Sequence, residues 1–533
     1  MFSPTLVHDY LIRSSELLPD KHALICGDER WTYREIDAAS THLAAILTDL
    51  GVKRNDRVAI LLDNSPEAVI SLYGTLKAGG IFILLESTLK AAKLRYILQD
   101  SGASVLIAHV NKAEVVGEAL ARSGVICRLL WVGDRNMHPG EGRTQSLFWS
   151  DVMNRTVWSN VPLQRNSAAG PRIDYDLATI IYTSGSTGEP KGVMCPHYNM
   201  VSVSQCIIQY LGNSRDDVLL NVLPLSFGYG LYQVLTTVMI GGTVVLERSF
   251  AYPVKVLERF RTEQITGFAM VPTIVALMLR IKNLEKYDFS SLRYITNAAA
   301  ALPMEHLRKL RALLPHVDIF PMYGLTECAR VSYLAPRDVD KRPDSVGKAI
   351  PNCEVIILDE QGGETGPGEV GELVVRGTNV MRGYWNAPEL TSKIFRQGRF
   401  PGERLLYSGD LFKKDGEGYL YFVGRKDDMI KVKGERVSPL EVENVLCKLD
   451  GVAESAVIGI PDEILGQSVK AFIVINGDRA LTEKKVLKHC SESLQSFMVP
   501  KYVEFVDSLP KSPNGKIDKK ILRSTVEKGL GTR

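Results

Sequence analysis

Short β-branched runs alternate with amphipathic helical segments along the first 320 residues, and this alternation limits the possible folds more than any other feature of the chain. Five of the runs are typical of buried strands: RVAILLD (57–63), SVLIAH (104–109), ATIIYT (178–183), TVVLE (243–247) and RYITN (293–297). Between them, segments such as 33–50 and 253–263 carry apolar residues at spacings of three and four. The alternation predicts an α/β fold with mainly parallel sheets.

The pattern changes after residue 345 and again near residue 425. Residues 349–377 contain short alternating segments separated by glycine turns, which is typical of a small antiparallel β unit. Further on, Ser438, Pro439 and Glu441 have the order of a helix cap, a first-turn proline and the acid of a capping box. Two strands and a helix are then predicted at residues 453–460, 468–475 and 482–494. This last part of the chain is long enough to form a separate α+β domain.

Charge and composition exclude several classes of protein. The 64 basic and 61 acidic residues leave a net charge of +3, which gives no broad field to attract nucleic acid or an anionic membrane. The eight cysteines include no CxxC pair, which argues against a structural zinc site or a disulfide framework. The longest apolar stretch, residues 268–279, contains a proline and is shorter than the roughly 20 residues of a membrane helix. The amino-terminal residues lack the features of a signal peptide. We therefore expect a soluble, cytoplasmic protein with no membrane span and no nucleic-acid partner.

The segment YTSGSTGEPKG at residues 182–192 follows a predicted strand and has the composition of a phosphate-binding loop. Its backbone N–H groups, hydroxyls and lysine are suitable donors for phosphate oxygens. It is not a P-loop, because Pro190 precedes the lysine and Gly192 follows it, and neither GxGxxG nor GxSxG fits. A flexible surface loop is the alternative. The residues predicted to bind phosphate are Thr183, Ser184, Gly185, Ser186, Thr187, Gly188 and Lys191.

The same segment resembles the signature of the acid-adenylating superfamily, which comprises AMP-forming acyl- and aryl-CoA synthetases, luciferases and amino-acid adenylation domains. Four more motifs follow in the order and spacing of that family: YGLTE (323–327), YSGDL (407–411), FVGRKDDMIKVKGERVSPLEVE (422–443) and PKSPNGKIDKK (510–520). The resemblance implies a reaction in two steps. A carboxylate attacks the α-phosphate of ATP to give acyl-AMP and pyrophosphate, and a thiol then displaces AMP.

Residue roles follow from the resemblance, motif by motif. Glu327 corresponds to the glutamate that binds Mg²⁺, and Thr326 to a residue that contacts the α-phosphate or the carboxylate. Asp410 corresponds to the aspartate that binds the ribose hydroxyls, with Tyr323, Tyr407 and Arg425 close to the nucleotide. The alternatives are a solvated loop position for Glu327 and a simple turn for Asp410.

Lys516 resembles the lysine that bridges the attacking carboxylate and the α-phosphate. Neighbouring lysines at 511, 519 and 520 suggest the alternative of a solvated basic tail. Because Lys516 is far from the phosphate segment in sequence, a separate domain has to deliver it.

In relatives that domain rotates between the two steps about a hinge, which corresponds here to Asp427. After the rotation, the segment with Lys433 and Gly434 lines the tunnel for the thiol. The resemblance thus implies an adenylating domain at residues 1–426, with two α/β subdomains and a small β-barrel-like unit. A mobile α+β domain follows at residues 427–533. The thiol is either coenzyme A or the phosphopantetheine of a carrier protein, which would then be a partner.

The acid-binding pocket is expected around residues 224–233, 297–303 and 322–331. Its candidate residues are Phe227, Gly228, Ala298, Ala301, Met322, Arg330 and Val331. Amino-acid-activating relatives have an aspartate at the position of Gly228, which pairs with the substrate ammonium group. Without that acid an ammonium group would lack compensation, so we predict an uncharged aryl or medium-chain aliphatic carboxylic acid. Arg330 could contact a polar group of the substrate, with a surface or structural ion pair as the alternative, and Gly228 could simply serve a turn.

The main prediction is therefore an ATP- and Mg²⁺-dependent acid–thiol ligase. Three other readings remain open: a stand-alone amino-acid adenylation enzyme that loads a carrier protein, a luciferase-like oxygenase, and a non-catalytic nucleotide-binding module.

Overall fold

The structure is a computed structural model of the 533-residue chain. It describes residues 4–121, 124, 127–135, 146–153, 172–184, 189–300, 302–432, 435–462, 464–475, 481–511 and 516–530. Within these ranges the α-helices are α1 (Val7–Leu17), α2 (Tyr33–Asp49), α3 (Pro66–Lys77), α4 (Ala91–Ser101), α5 (Ala113–Ala121), α6 (Trp149–Val152), α7 (His197–Leu211), α8 (Gly228–Ile240), α9 (Pro253–Thr262), α10 (Pro272–Leu279), α11 (Met304–Leu313), α12 (Pro388–Ile394), α13 (Pro439–Leu446), α14 (Glu483–Ser493) and α15 (Lys519–Leu530).

The first sixteen strands, in chain order, are β1 (His22–Cys26), β2 (Glu29–Thr32), β3 (Arg57–Leu61), β4 (Ile81–Leu84), β5 (Val105–His109), β6 (Arg128–Val132), β7 (Ser146–Phe148), β8 (Leu177–Ser184), β9 (Pro190–Pro196), β10 (Val218–Asn221), β11 (Thr243–Leu246), β12 (Gly267–Met270), β13 (Tyr294–Asn297), β14 (Asp318–Tyr323), β15 (Ser332–Tyr333) and β16 (Lys348–Ala349). The remaining strands are β17 (Cys353–Leu358), β18 (Val370–Gly377), β19 (Phe395–Gln397), β20 (Arg404–Lys414), β21 (Leu420–Arg425), β22 (Ile430–Val432), β23 (Glu435–Val437), β24 (Val452–Asp462), β25 (Gly466–Ile475) and β26 (Tyr502–Phe505).

Two large sheets form the first part of the chain. The seven-stranded sheet has the order β7-β6-β5-β3-β4-β8-β9, and the nine-stranded sheet has the order β16-β15-β14-β13-β12-β10-β11-β1-β2. In both sheets the central pairs are parallel, such as β3 with β5 and β12 with β13, and antiparallel pairs occur only towards the ends. Helices between the strands supply the crossovers that parallel pairing requires. The predicted α/β class is confirmed.

The phosphate segment lies in a β-hairpin at the edge of the seven-stranded sheet. Strand β8 pairs antiparallel with β9, with Thr183 opposite Lys191 and Ser184 opposite Pro190. The chain therefore turns straight back into the sheet, whereas a P-loop leads from a strand into a helix. This geometry explains why the segment matches none of the helix-linked phosphate motifs.

Two smaller sheets complete the fold. The first has the order β17-β18-β20-β19 with β21 on β20, and its pairs are antiparallel, as the glycine-rich pattern after residue 345 predicts. The second has the order β23-β22-β25-β24 with β26 on β25, and it packs against α13 and α14. Helix α13 begins as predicted, with Ser438 Oγ accepting the N–H of Glu441. Strand partners change between Arg425 and Ile430, the interval that contains Asp427.

Among the described helices, none combines the length and apolarity needed to cross a membrane.

Candidate active site

Asp410 is positioned by a bulge in strand β20. Residues 407 and 411 pair with residues 374 and 372 of β18, so β20 carries extra residues at this point. Gly409 has a φ of +70°, a left-handed conformation that side chains disfavour. Ser408 Oγ anchors the bulge by donating to Leu373 O at 2.6 Å and accepting from the Asp410 N–H. The YSGDL motif thus needs its serine and glycine to turn the aspartate into the interior.

The Asp410 carboxylate lies between a phenol and a guanidinium. Tyr323 donates its hydroxyl to Oδ2 at 2.5 Å, and Arg425 Nη1 is 3.0 Å from Oδ1. Asp410 is only 2% exposed, and no described residue donates a hydrogen bond to its Oδ1. Burial raises the pKa of the Asp410 carboxyl, while the charge of Arg425 opposes that rise. A buried acceptor of this kind is ready for a ligand hydroxyl.

Glu327 lies in the turn between β14 and β15, beside Thr326, and both are half-buried. Tyr384 donates its hydroxyl to Glu327 Oε1 at 2.7 Å, and the Met381 N–H donates to the Glu327 carbonyl at 2.9 Å. Burial, and next the charge of Glu327, raise the pKa of Tyr384. Tyr384 was not among the predicted site residues. Its signal in the sequence is the aromatic pair Tyr384–Trp385 after a glycine.

The same short segment connects the phosphate hairpin to the Glu327 turn. Met194 in β9 exchanges backbone hydrogen bonds with Gly383 and Arg382 at 2.9 and 3.0 Å, and Trp385 N–H donates to Gly192 O at 2.7 Å. Lys191 Nζ is 6.0 Å from the centre of the Tyr384 ring. Lys191 in strand β9 and Glu327 in the turn after β14 thus both lie close to Tyr384.

Lys516 lies within electrostatic range of Asp410, Arg425 and Glu327. Part of its side chain stays exposed to solvent, but protein atoms surround the ammonium group, and this burial lowers the pKa of Lys516. Two of the lysines near it behave differently, because Lys511 pairs with Glu454 and Lys519 with Glu443. Lys516 therefore differs from these two in pointing its charge towards the residues of the other motifs.

Gly228 is the first residue of α8, and a second glycine, Gly230, lies two positions further along the helix. A Cβ added at Gly228 would meet no atom within 4 Å, whereas a Cβ at Gly230 would lie 2.4 Å from Pro224 O. Gly230 is thus required by close packing. Gly228 is not among the glycines with positive φ, so its backbone does not need the freedom of glycine for a turn. Its missing side chain leaves open space.

The other predicted pocket residues lie near the carboxyl ends of β13 and β14 and at the start of α8. Ala298 and Met322 are buried, Phe227 is half-buried against Tyr229, and Val331 is fully buried with its N–H donating to Tyr323 O. Arg330 is 4% exposed. Ligands bind at this end of the strands in open α/β sheets.

Some predicted residues lie outside the described ranges. They are Gly185, Ser186, Thr187 and Gly188 of the phosphate segment, Ala301 of the pocket, and Lys433 and Gly434 of the thiol tunnel. The backbone of Ser184 is described and lies in β8.

The chain is similar to known proteins along almost its whole length. The model of the family described as "AMP-binding enzyme" matches residues 12–385, and the model described as "AMP-binding enzyme C-terminal domain" matches residues 441–516. The chain belongs to the AMP-binding enzyme family. A long-chain-fatty-acid–CoA ligase of Escherichia coli O157:H7 is 32% identical to this family member over 525 residues, which cover 95% of the chain and 91% of the relative.

Two solved structures are similar in fold to this AMP-binding enzyme. One is the anthranilate CoA ligase AuaEII in complex with anthranoyl-AMP, with a TM-score of 0.86, 28% identity and 98% coverage of both chains. The other is ATP-bound MatB from Rhodopseudomonas palustris, with a TM-score of 0.85, 29% identity and coverage of 97% and 98%. The protein is thus an AMP-forming acid–CoA ligase of the luciferase superfamily, which uses ATP to activate a carboxylic acid as an acyl-AMP.

Proposed function

We propose that this ligase activates an aryl or medium-chain aliphatic acid without an ammonium group, using Mg²⁺, and transfers the acyl group to the thiol of coenzyme A. The observation that carries the proposal is the position of Lys516, whose charge lies within range of Asp410, Glu327 and Arg425. These four residues come from motifs up to 189 positions apart in the sequence. Their convergence supports a site arranged for the adenylation step.

In that step an oxygen of the acid carboxylate forms a bond to the α-phosphorus, and the bond from that phosphorus to pyrophosphate breaks. Two anions must approach each other, so a cation between them lowers the barrier. Lys516 has this role in the proposal. Thr326 adds a hydroxyl next to Glu327, in reach of the α-phosphate or the carboxylate. Lys191, Thr183 and the rest of the phosphate segment would hold the β- and γ-phosphates.

The nucleotide fits the pocket around Asp410. A ribose offers two neighbouring hydroxyls as donors, and Asp410 Oδ1 is a buried acceptor without a hydrogen-bond donor among the described residues. Tyr323 holds the carboxylate in place by donating to Oδ2, and the charge of Arg425 lies 3.0 Å from Oδ1. We propose that Asp410 binds the ribose and that Arg425 borders the same site.

The residues also fit Mg²⁺. This ion prefers oxygen ligands and usually keeps water and substrate phosphates in its shell, with one or two protein carboxylates. Glu327 supplies one half-buried carboxylate next to the phosphate hairpin, and no described group of three or more His, Cys, Asp or Glu residues forms a complete metal site. When bound, Mg²⁺ would neutralise phosphate charge.

Tyr384 should orient Glu327 for this role. Because a hydrogen bond to a charged group contributes about 1.5–3 kcal/mol, we expect Tyr384→Phe to raise the Mg²⁺ concentration for half-maximal ATP–pyrophosphate exchange by about tenfold. Titration of Mg²⁺ at saturating ATP measures this shift. Tyr419→Phe, which removes a hydroxyl that donates to the Asp338 carboxylate at 2.9 Å, is the control. An unchanged Mg²⁺ requirement in Tyr384→Phe would contradict the proposed role.

The thiol step requires the thiol sulfur to bond to the acyl carbon as AMP leaves and the thiol proton passes to solvent. We propose that residues 427–533 form a domain that turns about Asp427 after adenylation and brings Lys433 and Gly434 to the thiol. Transfer to carrier-protein phosphopantetheine instead of coenzyme A is the alternative. Assays with each acceptor, on the same acyl-AMP, distinguish them.

The open space at Gly228 supports an acid without an ammonium group. We expect Gly228→Asp to lower kcat/KM for the natural acid about tenfold or more, because the new side chain would place bulk and negative charge in the space left open there. It should raise any trace activity on the corresponding amino acid. The assay is acid-dependent exchange over a panel of aryl, aliphatic and amino acids.

Gly228→Ala is the matched control, since it adds a side chain without charge and has the space to do so. An unchanged acid profile in Gly228→Asp would place Gly228 away from the substrate. The same panel tests the proposed function as a whole, because a folded protein that exchanges with none of these acids would contradict it. Exchange with amino acids alone would favour the amino-acid adenylation alternative.

A further inference from the structure

Arg330 is a buried cation without a buried anion beside it. The residue is 4% exposed, yet no carboxylate of the described residues forms an ion pair with its guanidinium. Its Nε is buried and has no described hydrogen-bond partner. The backbone is fixed on both sides, because the Arg330 N–H donates to Cys328 O and the Arg330 carbonyl accepts from Asn379 Nδ2. The predicted alternative of a structural ion pair is not seen for this arginine.

Lys77 is a buried cation with a structural role, and its contacts provide a comparison for those of Arg330. Lys77 is 8% exposed, and its ammonium pairs with the Asp37 carboxylate at 2.5 Å. The hydroxyls of Ser40 and Thr41 accept further hydrogen bonds at 2.8 and 2.9 Å. A buried charge is costly unless it is paired and hydrogen-bonded in this way. Arg330 has no carboxylate partner within the described part of the chain, so its charge is available to an anionic ligand.

The groups described around Arg330 are neutral aromatic residues of α7 and α8. Its guanidinium lies 5.2 Å from the centre of the Tyr229 ring and forms a side-chain hydrogen bond with Tyr210, and Tyr232 is within electrostatic range. Burial raises the pKa of Tyr210 to about 12 and raises that of Tyr229 and Tyr232 as well, so all three stay uncharged at neutral pH. The phenols can shape the site, but they do not neutralise the arginine.

Tyr232 supplies a second unpartnered group at the same place. Its hydroxyl is buried without a described hydrogen-bond partner, and the residue is 3% exposed. Tyr229 and Tyr232 follow Gly228 in α8, on the helix whose first residue leaves open space. The Nε of Arg330 and the hydroxyl of Tyr232 are thus two buried donors without described partners, close to the region that the acid is proposed to enter.

We propose that Arg330, with Tyr232, binds a second carboxylate at the distal end of the substrate, so that the natural acid is a dicarboxylic acid activated at one end. A planar guanidinium matches a carboxylate in geometry and charge. The inference rests on the proposed function and makes its substrate class narrower. The proposed acid therefore carries a second carboxylate at its distal end, where an uncharged group was expected. As before, it carries no ammonium group.

Paired acids of equal carbon number test the proposal: hexanoate with hexanedioate, and 3-phenylpropanoate with its para-carboxy derivative. In acid-dependent ATP–pyrophosphate exchange we expect the dicarboxylate to exceed its partner in kcat/KM by about tenfold or more in the wild-type protein. Arg330→Met should abolish or reverse this ratio, and Arg330→Lys, which keeps the charge but loses the planar fork, should give an intermediate ratio. Equal use of both acids by the wild type, or an unchanged ratio in Arg330→Met, would overturn the proposal.

Thermal unfolding without substrate separates recognition from a structural role. Because the arginine has no carboxylate partner, Arg330→Met should unfold at the same temperature as the wild type or higher. A lower unfolding temperature together with an unchanged acid ratio would assign Arg330 to the fold. Exchange with monocarboxylates but not with dicarboxylates would overturn this inference and leave the proposed function intact, whereas exchange with neither series would overturn both.

Discussion

Lys516→Ala should lower acid-dependent ATP–pyrophosphate exchange by about two to three orders of magnitude, the loss typical of removing one donor that stabilises charge in a transition state. The ammonium group is the described cation that the carboxyl-terminal segment brings towards Asp410 and Glu327. Without it, the acid carboxylate and the α-phosphate would approach each other with less neutralisation. The measurement is exchange at saturating ATP and acid.

Two controls make this result specific. Lys511→Ala removes a nearby lysine that pairs with Glu454, and it should leave exchange close to the wild-type level. Thioester formation from a supplied acyl-AMP should also persist in Lys516→Ala, because that step involves no attack on the α-phosphate. Near-normal exchange in Lys516→Ala would contradict the proposed adenylation mechanism.

The charge of Lys516 also gives the exchange reaction a pH limit. Burial lowers the pKa of this lysine, and only the protonated form carries the charge that the step needs. As the pH rises through the lowered pKa the charge is lost, so exchange should decline at a lower pH than an ordinary lysine would give. Lys516→Arg keeps its charge at higher pH, and its decline should therefore shift to more alkaline pH.

Asp410→Asn should raise the KM for ATP by about 10- to 100-fold, which corresponds to the loss of a charge-assisted hydrogen bond. The substitution keeps the size of the side chain but removes the anion that faces Arg425 at 3.0 Å. It leaves that guanidinium without its counter-charge and offers the ribose a weaker acceptor. The effect should fall mainly on ATP and only slightly on the KM for the acid.

Asp415→Asn is the matched control for this substitution. Asp415 follows the same strand β20 and pairs with Arg342 at 2.5 Å, away from the motif residues. Its loss should leave the KM for ATP unchanged. If Asp410→Asn and Asp415→Asn gave the same KM, the nucleotide would not bind at Asp410.

The sequence alone predicted the parts of the fold that depend on local pattern. The five strand predictions in the first 300 residues correspond to β3, β5, β8, β11 and β13, and the helices at 33–50 and 253–263 correspond to α2 and α9. Such elements can be predicted because hydrophobic periodicity is a local pattern, which extends over only a short stretch of the chain. The family was also identified correctly, because its motifs are contiguous and ordered.

Features that depend on long-range packing could not be predicted in this way. The contact of Tyr384 with Glu327 joins residues 57 positions apart, and no local pattern indicates it. The burial of Arg330 depends on Tyr210 and Tyr229, which lie in different helices. The residue roles, the hinge at Asp427 and the domain boundary remain predictions, because they concern ligands and a movement.

The hairpin formed by β8 and β9 has a consequence for product release. Paired strand flanks the phosphate segment on both sides, and the next helix, α7, begins only at His197. Helix-linked loops hold phosphate partly with a permanent dipole, whereas the described part of this hairpin offers Lys191 at a sheet edge. Pyrophosphate that leaves together with its metal ion would carry much of its own neutralising charge away. A phosphate-binding site of this kind suits an enzyme that releases the terminal phosphates as pyrophosphate in every turnover.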